Sequence, residues 1–311
     1  MQLASLRGMR FSIFPLVALS ILSVATASAQ LNEASSLAEV EFSRLSQQDP
    51  NPLGEKALAI NPEQWKHGET EHFIYHFFHG YIATRVSVEA EFFYRVVAKE
   101  LERDQPAGDT KSHVYVFERS EDWSLFQHYG NLEPWTGGIQ SQGSLFIERN
   151  PRDRFGGNVL GHEIVHLVLH RIYADGVPLW LNEGMAQYIS KSAHASYKRA
   201  RGYIAKPHSQ AIDPSHLIPL GALVAQTSPP KDNVPLFYDQ SERLVSFLAN
   251  TDKPSFLALL DALGHHRSFE SALPLAYAGK FSTVAILQEQ FREYATKDFG
   301  STLQDQRFGG R

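Results

Sequence analysis

Residues 162–166 read His-Glu-Ile-Val-His inside a stretch, Val159 to Ile172, that is otherwise apolar on nearly every face of a helix. Such a helix is buried, and burying two imidazoles and a carboxylate without partners is costly. On a helix His162 and His166 stand one turn apart on one face, so both rings reach one metal ion, with Glu163 beside them. A second segment, Trp180-Leu181-Asn182-Glu183-Gly184, follows closely, behind a proline (Pro178) suited to a helix start. Two histidines and a carboxylate form the donor set of a catalytic zinc site, which keeps a fourth position open, and Glu183 is the candidate third ligand. Gly184 is expected to leave room beside the ion. The bland alternative is a helix with two structural histidines and a first-turn glutamate favoured by the helix dipole. It leaves the buried polar groups without partners.

Other histidines do not compete well. His170 continues the same stripe but lies about 12 Å along the axis from His162, too far to share one ion, and reads as a packing or hydrogen-bonding residue. A metzincin would need glycine at 169 and a ligand at 172, where this chain has Leu169 and Ile172. His72 and His76 share a strand face about 13 Å apart and His79 points the other way, so these three read as solvated.

The two motifs resemble those of the gluzincin metallopeptidases, the peptidase MA-like families. Leu181-Asn182-Glu183-Gly184-Met185-Ala186 is similar to the segment of the M1 aminopeptidase type, although the gap from the first motif is two residues shorter here. The resemblance implies that His162, His166 and Glu183 bind Zn2+ and that Glu163 is general base and acid. It also implies that Tyr238, at the head of a helical stretch opening at Pro235, donates a hydrogen bond to the oxyanion of the reaction. Tyr188 is the competing tyrosine. The resemblance implies too that an edge strand just before the zinc helix pairs with substrate backbone; the glycine-rich segments Trp135–Ile139 and Gly143–Ile147 precede that helix, and an ordinary hairpin is the alternative.

The chain opens with Arg7 and Arg10, an apolar run from Phe11 to Val24, and Ala27-Ser28-Ala29. That is the pattern of a secretory signal peptide cut after residue 29; about fourteen apolar residues are short for a bilayer span. Its removal leaves 282 residues with 27 basic and 34 acidic side chains, a net charge of −7, which argues against a nucleic-acid or anionic-membrane surface. The chain has no cysteine. Thiolate ligands, a cysteine nucleophile, lipoprotein attachment and disulfides are all excluded, so the apolar core alone must hold an exported protein together. A bacterial periplasm or exterior fits best.

Apolar spacing predicts a helix near 36–45 and then turns and loop, a strand over 72–78, a helix over 86–101, a strand over 112–117, a helix over 121–128 and a strand over 143–148. After the zinc helix, helices are expected over 219–226, 238–251, 254–263, 268–276 and 283–297. The expected fold is α+β and zincin-like with two lobes: residues 1–29 a signal peptide, 30–65 an extension, 66–212 the sheet-bearing lobe, 213–299 a helical lobe and 300–311 a tail. The expected activity is zinc-dependent hydrolysis of peptide or protein substrates, with no membrane anchor after signal cleavage and no partner protein readable. Two rivals are a zinc hydrolase of non-protein amides such as wall peptides, and a peptide-binding module without turnover. The intact Glu163 speaks against the second.

Overall fold

The computed structural model describes residues 36–103, 110–149, 158–200, 202 and 212–296. The expected signal peptide (1–29) and tail (300–311) lie outside the described residues. Five strands, β1 (Lys66–Glu69), β2 (Phe73–Phe77), β3 (Ser112–Phe117), β4 (Gly138–Ser141) and β5 (Ser144–Glu148), form one sheet in the order β1-β2-β3-β5-β4. The inner three run parallel, and β1 and β4 flank them antiparallel. Every residue of β2 and β3 is buried, which is why these strands lack a polar alternation. Successive side chains instead serve two cores. Val114, Val116, Leu145 and Ile147 enter the main cluster, while Tyr115, Phe117 and Phe146 enter an aromatic cluster with Trp65, Trp123 and Phe126.

Helices cover both faces. α1 (Pro52–Leu58) and α3 (Ser120–Gly130) lie on the aromatic side, contributing Ala57, Trp123 and Phe126. α2 (Gly80–Glu100) and α4 (Val159–Tyr173) cover the other, through Ile82, Val86, Phe93, Ile164 and Val168 among others. Beyond α4 the chain is helical: α5 (Leu179–Ala200), α6 (Leu220–Val224), α7 (Val234–Thr251), α8 (Lys253–Gly264), α9 (Phe269–Ala276) and α10 (Val284–Ala295). Each adds residues to the main cluster, which runs without a break from Phe73 to Ala295. The fold is α+β, a five-stranded sheet followed by a helical C-terminal part.

Three local expectations need correction. The helix expected near 36–45 is a single 3-10 turn, Phe42–Arg44, and Glu39 makes a strand-like bridge to Gly68 instead. The loop expected after it contains α1, whose first turn is capped by the Asn51 side chain accepting from the Leu53 N–H, with Pro52 at its first position. The histidines expected to be solvated are bonded. His76 is 1% exposed and stands in a row with His67 and His113, Nδ1 to Nδ1 at 2.8 Å and Nε2 to Nδ1 at 2.8 Å. His72 and His79 face the Glu91 and Glu118 carboxylates.

Candidate metal centre

α4 carries two imidazoles toward each other. The Nε2 atoms of His162 and His166 are 3.0 Å apart, with the rings nearly perpendicular at 84°. After α4 the chain reverses through Ala174, which takes a positive φ of 51°. The Pro178 carbonyl then accepts the N–H groups of Leu181 and Asn182, opening α5. That first turn delivers two side chains to α4. The Asn182 Oδ1 accepts from the His166 Nδ1 at 2.9 Å, a contact that leaves Nε2 as the bare, ligand-bearing nitrogen. The Glu183 Oε2 lies 3.3 Å from His162 Nε2 and 3.6 Å from His166 Nε2. It is buried and has no well-formed hydrogen bond among the described residues.

These three atoms fit a zinc ion. Tetrahedral ligands at about 2.0–2.2 Å from zinc stand about 3.4 Å from one another, and the observed separations of 3.0, 3.3 and 3.6 Å bracket that value. The orphaned carboxylate oxygen points the same way, because a buried anion needs a cation. Protons take that part in the metal-free protein. Burial opposes a charge on His166, but the Glu183 carboxylate beside it raises its pKa to about 9. Burial would raise the Glu183 carboxyl, but the two imidazoles facing it bring it down to about 2.

Glu163 stands outside this trio. Its Oε2 accepts from the backbone N–H of Gln140 at 2.8 Å, so β4 fixes its position. The contact depends on Gly138: a Cβ there would come within 2.5 Å of Val159 Cγ1 and 3.2 Å of Glu163 Cγ. β4 is the edge of the sheet on this side, whereas the strand read at 143–148, β5, is internal. Gly184 does not face the ion position as expected. A Cβ on it would meet the Ser241 carbonyl oxygen at 2.5 Å, so its role is to let α7 approach α5. α7 carries Tyr238, whose half-buried hydroxyl is pushed up to about 12 by burial and by the charges of Glu183 and Glu163. Tyr188, the competitor, lines a separate cavity with Glu100 and Lys253.

His170 pairs with Asp175 at 3.4 Å. Glu71, His72 and Glu91 also bring three donor atoms within 4.8 Å of one another. Glu91, however, accepts from His72 N and Nδ1 at 3.0 and 2.7 Å and has the Arg95 guanidinium at 3.6 Å, so its charge is already matched inside the protein. Two contributors escaped the sequence reading. Asn182 had a signal, its place beside Glu183 in the motif; Gln140 had none, since its contact is made by backbone.

A family model described as the peptidase MA superfamily matches residues 105–296, more than half of the chain, and the match contains all the residues of this centre. The chain belongs to the peptidase MA superfamily. No curated protein matches it. As a member of that superfamily the protein is a peptidase-type enzyme, and the matched span begins after β1, β2 and α2, taking in β3 to α10.

Proposed function

We propose that this protein is an exported zinc metallopeptidase of gluzincin type, with an M1-like second motif and a two-lobed zincin arrangement, hydrolysing peptide bonds with Glu163 as general base. The observation that carries this reading is the convergence of three donor atoms 3.0–3.6 Å apart, with a fourth group, Glu163, held beside them and not among them. Zinc held by His162, His166 and Glu183 supplies Lewis acidity that polarises a carbonyl and acidifies water. Glu163 takes the proton of the attacking water and hands it to the leaving amine. The raised pKa of Tyr238 keeps its hydroxyl protonated, so it donates a hydrogen bond to the oxygen on which charge develops. The edge strand β4 would pair with an extended substrate, and its contact with Glu163 would register that substrate over the site.

Export rests on the residue 1–29 pattern, and the mature chain should begin at Gln30 or within a residue or two of it by mass spectrometry. Among the described residues no helix is long and apolar enough to cross a membrane. The activity is tested by incubating purified mature protein with a mixed peptide library, with and without a zinc chelator, and mapping the cuts. Chelator-sensitive cleavage supports the reading; a library left intact sinks it in favour of a binding module.

A further inference from the structure

A cavity of about 430 Å³ opens beside the metal centre, sharing His166 and Asn182 with it and reaching Gln140 of β4. Its far walls are the α4–α5 turn and residues 224–227, from the last residue of α6 onward, and Leu169, Val177, Leu179 and Val224 make much of it apolar. Besides Asn182, whose Oδ1 already accepts from His166, two carboxamides line it from different elements, Gln140 on β4 and Gln226 after α6. Among the described residues neither amide group has a hydrogen-bond partner; Gln140 Nε2 and Gln226 Oε1 are buried and unpaired. Native proteins rarely leave such groups without partners. As placed these two atoms are covered, but a glutamine's terminal torsion is soft, so a turn of each amide brings either its N–H₂ or its carbonyl to the cavity.

The charge of the lining narrows the occupant. Among the described residues neither lysine nor arginine borders the cavity, and the ionisable ones are the candidate ligand His166 and the pair His170 and Asp175, which face each other at 3.4 Å. Among the described residues no lysine or arginine is therefore placed to receive an acidic side chain. A pocket with two free carboxamides, each donor and acceptor, matches a neutral group that also donates and accepts. A carboxylate satisfies only the N–H groups, and an alkyl chain satisfies nothing. Resting on the peptidase reading, we propose that this cavity is a substrate subsite selecting an asparagine or glutamine side chain. Gln140 ties that selection to the reaction, because its backbone N–H also holds Glu163.

The test separates binding from turnover. Zinc-loaded Glu163→Gln protein is titrated, by fluorescence anisotropy, with labelled peptides carrying glutamine, glutamate or methionine at each position in turn. Glutamine at one position should bind about tenfold tighter than either near-isostere, because rejecting them leaves site groups unpaired. That preference should collapse in the Gln140→Met and Gln226→Met backgrounds, where methionine keeps the length and volume of the side chain. Equal affinity for the three residues at every position overturns the subsite, as does a preference that survives both substitutions. The three-peptide comparison on unaltered glutamines decides the matter even if a methionine variant misfolds. Cleavage by the wild type is scored separately: a wild type that cuts none of these peptides overturns the peptidase reading, while the binding ratios still decide the subsite.

Discussion

His162, Glu163 and His166 divide their work by a difference of one helical position, and substitutions should separate those roles. His162→Ala or Glu183→Ala removes one of three donors and should take zinc content well below one ion per chain by metal analysis. Undiminished zinc would reject the ligand set. Asn182→Ala leaves the donors in place but frees the His166 ring, and should weaken zinc affinity about 10- to 100-fold in a chelator competition. Glu163→Gln should keep the metal and the fold and lose about 10² to 10⁴ in rate, because an amide cannot accept the proton from water. Tyr238→Phe should also keep the metal and lose roughly 10² to 10³ if its hydroxyl is the side-chain oxyanion donor. Unchanged peptide cleavage by Glu163→Gln would mean that another base is at work. The imidazole pair was legible because its geometry is local, four residues on one helix. Asn182 and Gln140 act across the chain, where spacing in sequence carries no distance.

The centre is assembled by close packing of elements, and glycine sets two of the approaches. Gly184→Ala would place a Cβ 2.5 Å from a backbone oxygen of Ser241 and 2.7 Å from Val245 Cγ2. Backbone cannot rotate away as a side chain can, so α7 must shift, destabilising the fold by about 1–3 kcal/mol. Because α7 carries Tyr238 and α5 carries Glu183, activity per folded molecule should fall as well. Urea unfolding together with the rate of the folded fraction checks both; an alanine variant as stable as wild type would show that the two helices are not in this contact. The same distinction between local and distant causes governs what the sequence revealed of the elements. Ser112–Phe117 was read with its bounds as found because its β-branched and aromatic residues, Val114 to Phe117, favour a strand locally. β1 was missed because Lys66-His67-Gly68-Glu69 has no apolar alternation and is a strand by virtue of pairing with β2. α1 was missed because its proline and asparagine read as a turn, when they are a cap and first helical position.

At the scale of the whole molecule, a protein without cysteine depends on its core, and this core contains a titratable weak point. His67, His76 and His113 are 9%, 1% and 3% exposed and hydrogen-bonded in a row across β1, β2 and β3. One proton per link satisfies the row with all three rings neutral. Burial, and then the nearby His113, lowers the pKa of His67 to about 4. Burial and the other two rings lower His76 well below its usual range, and burial lowers His113 although Asp49 and Glu69 pull the other way. In the unfolded chain these groups titrate near 6.5, so below that pH the unfolded state binds protons that the folded state refuses. Stability is therefore intact above about pH 6.5 and is lost as pH falls toward 4, by up to about 3 kcal/mol from His67 alone. The window from about pH 5 to 6 comes closest to isolating the effect in metal-free protein. The raised His166 is mostly protonated in both states there, and the lowered carboxylates Glu69, Glu91 and Glu183 are mostly ionised in both. Urea midpoints measured across that window should fall steadily for the wild type and less steeply for His67→Asn, which offers the hydrogen bond to His76 without a titrating ring. Parallel slopes for the two proteins would place the acid sensitivity elsewhere than in the histidine row.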